Sequence, residues 1–258
     1  MTENSMDRPV KTLASPEEAV ANFIGEHFLE WLLDYVTERV KIWPELAEIR
    51  ASQPKLEKLR KYAVQRYIAA EAFLGGREGD PGFLGFAIAN LSESPDPMAE
   101  NALGILEQKR QEEMGKGSES KHQQLWVKFL KSLGITDEEI SHAEPKEMTR
   151  RYISDLSEVY STSEWQTAMG AFLAHERAIP EEYAAISEMI KKNTAVSADA
   201  LAVFSWHIGM DVKYVINTQH MLEKIVVDPE SKQLVLEGIL SQLSTRQEFY
   251  RGLMKYLK

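Results

Sequence analysis

Apolar residues recur at intervals of three and four along almost the whole chain, and no stretch alternates with a period of two between turn dipeptides. Side chains return to one face every 3.6 residues in a helix and every two in a strand, so the pattern admits helices and excludes sheets. The chain reads as all-α. Its connections are mostly short, and no internal repeat or low-complexity linker divides it. The helices should therefore pack as one multi-helix bundle over residues 15–258, behind a polar arm at 1–14.

Local signals place the boundaries. Ser15-Pro16-Glu17-Glu18 combines an N-cap, a proline in the first turn and acids at the positive end of the dipole. The helix it starts should continue through Val20, Phe23, Ile24, Phe28, Trp31, Leu32 and Tyr35. Pro44 and Pro54 bracket what reads as a short polar connection. Residues 56–74 form the next helix, closed by Gly75-Gly76. The loop at 76–82 is glycine-rich but acidic and lacks a Lys-Ser/Thr pair, which rejects a phosphate loop. Further helices are expected at 83–91, 98–114 and 119–133, and Thr136-Asp137-Glu138-Glu139 caps a start before 145–160. Ser161 to Glu164 cap a helix through Trp165, Phe172, Leu173 and Glu176, with Pro180 inside the pattern. Another opens at 195–199 and runs to about 227, and Asp228-Pro229 begins the terminal helix.

A formal net charge of −10, with the Lys and Arg scattered, argues against nucleic acid as a partner. No apolar run approaches the ~20 residues that span a bilayer, and the first ten residues lack the apolar centre of a signal peptide. The expectation is a cytoplasmic protein without a membrane partner. There is no cysteine, which removes disulfides, cysteine metal sites and thiol nucleophiles together. Any metal must be held by His, Asp, Glu or Tyr.

Polar chemistry enters an apolar helix at residues 203–214, VFSWHIGMDVKY. His207, Asp211 and Tyr214 fall on one helical face, where they form either a metal site or a hydrogen-bonded His–Asp pair. Glu113 ends one helix and His122 begins the next, with Gly115 and Gly117 allowing a tight return between them. Glu176 lies four residues before Pro180, whose missing N–H and bulky ring should open the helix there and turn the carboxylate inward. Inward carboxylates and imidazoles from facing helices are how bundles build iron sites.

The order of a helix at 62–73, the 94–135 segment containing E-x-G-x-G and His122, AFLAHERAIPEEY at 171–183, and HIGMD at 207–211 resembles the TenA/PqqC-like superfamily with its heme-oxygenase-like bundle. It is most similar to the iron-containing oxidases that include the fatty-acid decarboxylase making terminal alkenes. The resemblance covers roughly 56–227. It implies Glu113, His122, Glu176, His207 and Asp211 as metal ligands, with Tyr214 where the family pattern H-x-x-x-D-x-x-H carries a second histidine. Glu112 and, more weakly, Glu119 are alternatives to Glu113. Thiaminase-type members use a cysteine, which this chain lacks.

The implied activity is a non-heme iron oxidase, with one or two iron ions or manganese in their place, dioxygen as co-substrate and a small fatty- or amino-acid-like substrate. Phe172, Trp206 and Tyr67 would line its pocket and Lys213 would anchor a carboxylate. A second expectation is a metal-free enzyme on a heteroaromatic metabolite, with Glu176 and Tyr214 as acid–base residues. A third is a helical interaction protein. Apolar positions on the terminal helix, Leu234, Leu236, Ile239, Leu243, Phe249 and Leu253, suggest a homodimer.

Overall fold

The structure is a computed structural model that describes residues 13–75, 80–115, 121–162 and 164–258, with backbone alone at 121 and 209–212. Among the described residues there is no strand. The helices are α1 Pro16–Asn22, α2 Gly25–Lys41, α3 Pro44–Ala51, α4 Leu56–Leu74, α5 Gly82–Glu93, α6 Ala99–Met114, α7 Lys121–Ser132, α8 Asp137–Ser141, α9 Glu147–Tyr160, α10 Trp165–Asn193, α11 Ala202–Leu222 and α12 Pro229–Leu253.

Helix α10 is the axis of the bundle. Its 29 residues extend roughly 44 Å at the helical rise, and α2, α3, α9, α11 and α12 all pack on it. Its alanines, Ala168, Ala171, Ala174, Ala178 and Ala185, let neighbours approach from several sides while Phe172, Leu173, Ile179, Ile186 and Met189 fill the gaps. The partner α12 touches it at backbone level. A Cβ on Gly170 would lie 2.1 Å from the Val235 carbonyl oxygen, and one on Gly238 would lie 1.9 Å from that of Thr167. One contiguous core runs from Ala19 to Leu257.

The predicted helix at 56–74 matches α4 at both ends, and Gly75 closes it in the left-handed region at φ +80°. Ser15 and Thr136 cap their helices as read, each within a full capping box, and Asp228 caps α12. Three helix boundaries need correction. The first helix breaks at Phe23 and Ile24, which are extended, and restarts at Gly25 with φ +48°. Apolar spacing runs through the break because α1 and α2 both pack on α12. Between Pro44 and Pro54 there is a helix, α3, with Pro44 at its first position and Leu46 and Ile49 buried. Finally, α11 begins at Ala202, after a turn at 198–201.

Pro180 does not open α10. Helical assignment is continuous from Trp165 to Asn193, although the carbonyl of residue 176 has lost its usual donor. Helices packed on several sides hold the backbone in register. Of the apolar residues read as a dimer face, Leu236, Ile239, Leu243, Phe249 and Leu253 are buried in the core and Leu234 is half-buried, while the neighbouring Leu240 is exposed. No helix among the described residues is long and apolar enough to cross a membrane.

Candidate metal centre

Three helices deliver three donors to one point. Glu113 lies on the last turn of α6, which ends at Gly115 with φ +68°; His122 lies on the first turn of α7; His207 lies in the first half of α11. All three are buried, and their donor atoms lie within 4.8 Å of one another. His122 Nδ1 is 3.0 Å from Glu113 Oε2 and 3.0 Å from His207 Nε2.

The protons decide what this cluster can hold. His207 Nδ1 lies 2.6 Å from the Val203 carbonyl, which only accepts, so Nδ1 carries the hydrogen and Nε2 presents a lone pair. The Glu113 carboxylate also only accepts. A single N–H on His122 Nδ1 cannot satisfy both neighbours at once, whereas a cation among the three lone pairs satisfies all of them. The residues fit a metal ion on that ground, and imidazole with carboxylate suits iron, manganese or zinc.

Electrostatics keep the donors in ligand form. Burial pushes His207 down to about 3, an effect that outweighs the nearby Glu113 carboxylate. Burial alone would raise Glu113, but Lys109 and His122 overcome it and hold the carboxyl well below the usual range. At neutral pH the cluster thus offers a carboxylate and at least one bare imidazole nitrogen.

Glu176 is fully buried, as the inward reading required, but it is not one of the three converging donors. It meets them through Lys109, whose Nζ lies 2.9 Å from Glu113 Oε1 and 3.0 Å from Glu176 Oε2. The same ammonium sits 4.7 Å from the centre of the Tyr214 ring. Tyr214 is buried, and burial together with the Glu112 carboxylate pushes its phenol up, so the ring is a neutral wall and not a phenolate. Lys109 was missed in the sequence, yet its phase gave the signal. Ala102, Leu106, Lys109 and Glu113 recur at steps of four, three and four, and all four are buried.

The donors open onto a small internal cavity of about 20 Å³, lined also by Phe73, Tyr152 and Tyr183. That is room for about one water-sized body. A second buried polar group closes the far side. Arg246 grips Glu182 with two parallel hydrogen bonds, Nε to Oε1 at 2.5 Å and Nη2 to Oε2 at 2.7 Å. Tyr250 donates its hydroxyl to the same carboxylate at 2.7 Å. Arg246 Nη1 donates to His175 Nδ1 at 2.8 Å, and the His175 ring stacks on Phe73 at 4.3 Å. Burial, then the Arg246 charge, pushes His175 well below its ordinary value, so it stays neutral. The guanidinium of Arg66 rests against the rings of Tyr250, Tyr183 and Phe249 at 5.3, 5.7 and 5.7 Å.

Several expected roles do not survive. Glu112 faces outward and pairs with Lys213 at 2.7 Å, so it is no substitute for Glu113, and Lys213 is not aimed at the cavity. Phe172, Trp206 and Tyr67 do not line it; Phe172 is plain core and Tyr67 borders an outer groove. Glu119 and the side chain of Asp211 lie outside the described residues.

Two imidazoles and a carboxylate thus converge inside a helical bundle, an arrangement that could hold a metal ion. The chain belongs to the iron-containing redox enzyme family, whose model matches residues 61–247. It is 27% identical over 202 residues to 4-aminobenzoate synthase of Chlamydia pneumoniae, covering 78% of this chain and 83% of that relative. The fold is similar to a TenA homologue of Pseudomonas syringae, with a TM-score of 0.69 at 12% identity over 95% of this chain and 98% of that one. It also matches a Shewanella denitrificans domain with a heme oxygenase-like fold, with a TM-score of 0.66 at 14% identity over 88% and 89% of the two chains.

Proposed function

We propose that the chain is a non-heme iron enzyme that uses dioxygen to oxidise a small organic substrate, with the ion held by Glu113, His122 and His207. Glu176 stands beside them through Lys109, and Asp211, one turn beyond His207 on α11, remains part of the proposed donor set. The observation that carries this reading is the meeting of three buried donors around a single proton too few. A bound ferrous ion would supply the electrons that activate dioxygen. Manganese would suit the same donors.

The chain's own residues do the rest. The Val203 carbonyl holds the His207 ring so that Nε2 faces inward. Phe73, Tyr152 and Tyr183 limit water around the donors, and Arg246 with Glu182 fixes the opposite wall. The likeness to 4-aminobenzoate synthase favours a compact aromatic or amino-acid-like substrate over a long-chain fatty acid.

Anaerobic loading with ferrous iron followed by desalting and metal counting tests the site. The unaltered chain should retain iron and His207→Ala should lose it, with the melting temperature rising on iron addition only in the former. Retention no higher than that of a metal-free control protein would leave a helical bundle without this activity.

A further inference from the structure

The Lys109 ammonium is an unusual neighbour for a metal centre. It is buried to 1% exposure, between two buried carboxylates on different helices, at 2.9 Å from Glu113 and 3.0 Å from Glu176. Those two oxygens are thus no more than about 6 Å apart, the separation at which one cation bridges two carboxylates. On a third side the ammonium faces the Tyr214 ring at 4.7 Å. A ring face attracts an ammonium through its quadrupole. It offers a metal ion no lone pair of the kind that an imidazole or carboxylate supplies. The three sides of this position are therefore suited to an organic cation.

Resting on the metal reading above, we propose that Lys109 stands in for a second metal ion, so that the centre takes one ion, between Glu113, His122 and His207. Glu113 and Glu176 bring two negative charges, and Lys109 with one divalent ion already brings three positive, so a second divalent ion would leave a larger uncompensated positive charge. A second divalent ion at the bridging position would have to sit against the ammonium, and like charges in a buried site repel strongly. Paired metal ions in such centres stand about 3.5–4 Å apart, which is the territory that Lys109 already fills beside Glu113. Glu176, on this view, is a positioning residue: it holds the ammonium in place, and through it the second oxygen of Glu113.

Metal counting on the full chain after anaerobic loading with excess manganese(II), and separately with iron(II), decides the matter. One ion per chain, with a manganese spin-resonance spectrum free of exchange coupling, is the expected result. Lys109→Gln, which keeps a side chain of similar length without the charge, should raise the count above one and introduce a coupled spectrum. Two ions per unaltered chain, or a count fixed at one in a folded Lys109→Gln chain, would overturn the proposal and leave the iron reading intact. No retained ion in the unaltered chain would overturn both. If Lys109→Gln fails to fold, the count and spectrum of the unaltered chain still decide.

Discussion

Arg246 and Glu182 show how a single residue sets the tolerance of the interior. Their bidentate pair is wholly buried and is completed by Tyr250 on one side and His175 on the other. Removing one partner strands the other in a low-dielectric core. Arg246→Met should therefore cost about 3–5 kcal/mol of stability in urea unfolding. Arg246→Met with Glu182→Leu should recover part of that loss, because an apolar pair of similar volume no longer strands a charge. A single-variant loss below 1 kcal/mol would contradict this account. His207 sets the pH response. Its folded value of about 3 lies below the ordinary 6.5, so as pH falls below 6.5 the unfolded chain takes up a proton that the folded chain refuses. Stability of the metal-free protein is fully present above pH 6.5. It should fall by about 1.4 kcal/mol per pH unit down to roughly pH 3, with His175 adding a contribution of the same sign. Unfolding at pH 6.5 and 5 should differ by about 2 kcal/mol or more, and His207→Phe should flatten the profile.

At the scale of helices, the Gly170–Gly238 crossing is the joint most sensitive to change. Gly170→Ala brings a methyl to 2.1 Å from the Val235 carbonyl oxygen, so α10 and α12 must part, at a cost of about 1–3 kcal/mol. Gly104 is the control. It lies exposed in α6 with nothing near its missing Cβ, and Gly104→Ala should stabilise by about 0.5–1 kcal/mol. Equal effects of the two substitutions on thermal unfolding would refute the close-contact explanation. The helices were legible in the sequence where caps and periodicity agreed, as at 56–74 and at Asp228. They were not where two helices shared one buried stripe, as across Phe23 and Ile24, or where a proline both ends and begins structure, as at Pro44. Glu113, His122 and His207 were legible from chemistry and order along the chain. Lys109, Arg246 and Glu182 were not, because a charged side chain reads as solvated until a partner from a distant helix is known. The inward turn of Glu176 follows from helical phase beside Phe172 and Leu173 and not from a break at Pro180, because α10 is unbroken there.

For the molecule as a whole, the chemistry is divided between two walls. Helices α10 and α12 carry Glu176, His175, Glu182 and Arg246, while α6, α7 and α11 carry Lys109, Glu113, His122 and His207. The first wall is fastened at backbone level by its glycines. The two walls meet across the Lys109–Glu176 bridge and the cavity beside it. Space for about one water-sized body accommodates an ion's remaining ligand and nothing of organic dimensions beside it. In the reading proposed above, His122 and His207 both line this chamber and donate to the ion, so a change in the chamber's shape on admitting a reactant would also be felt at the metal.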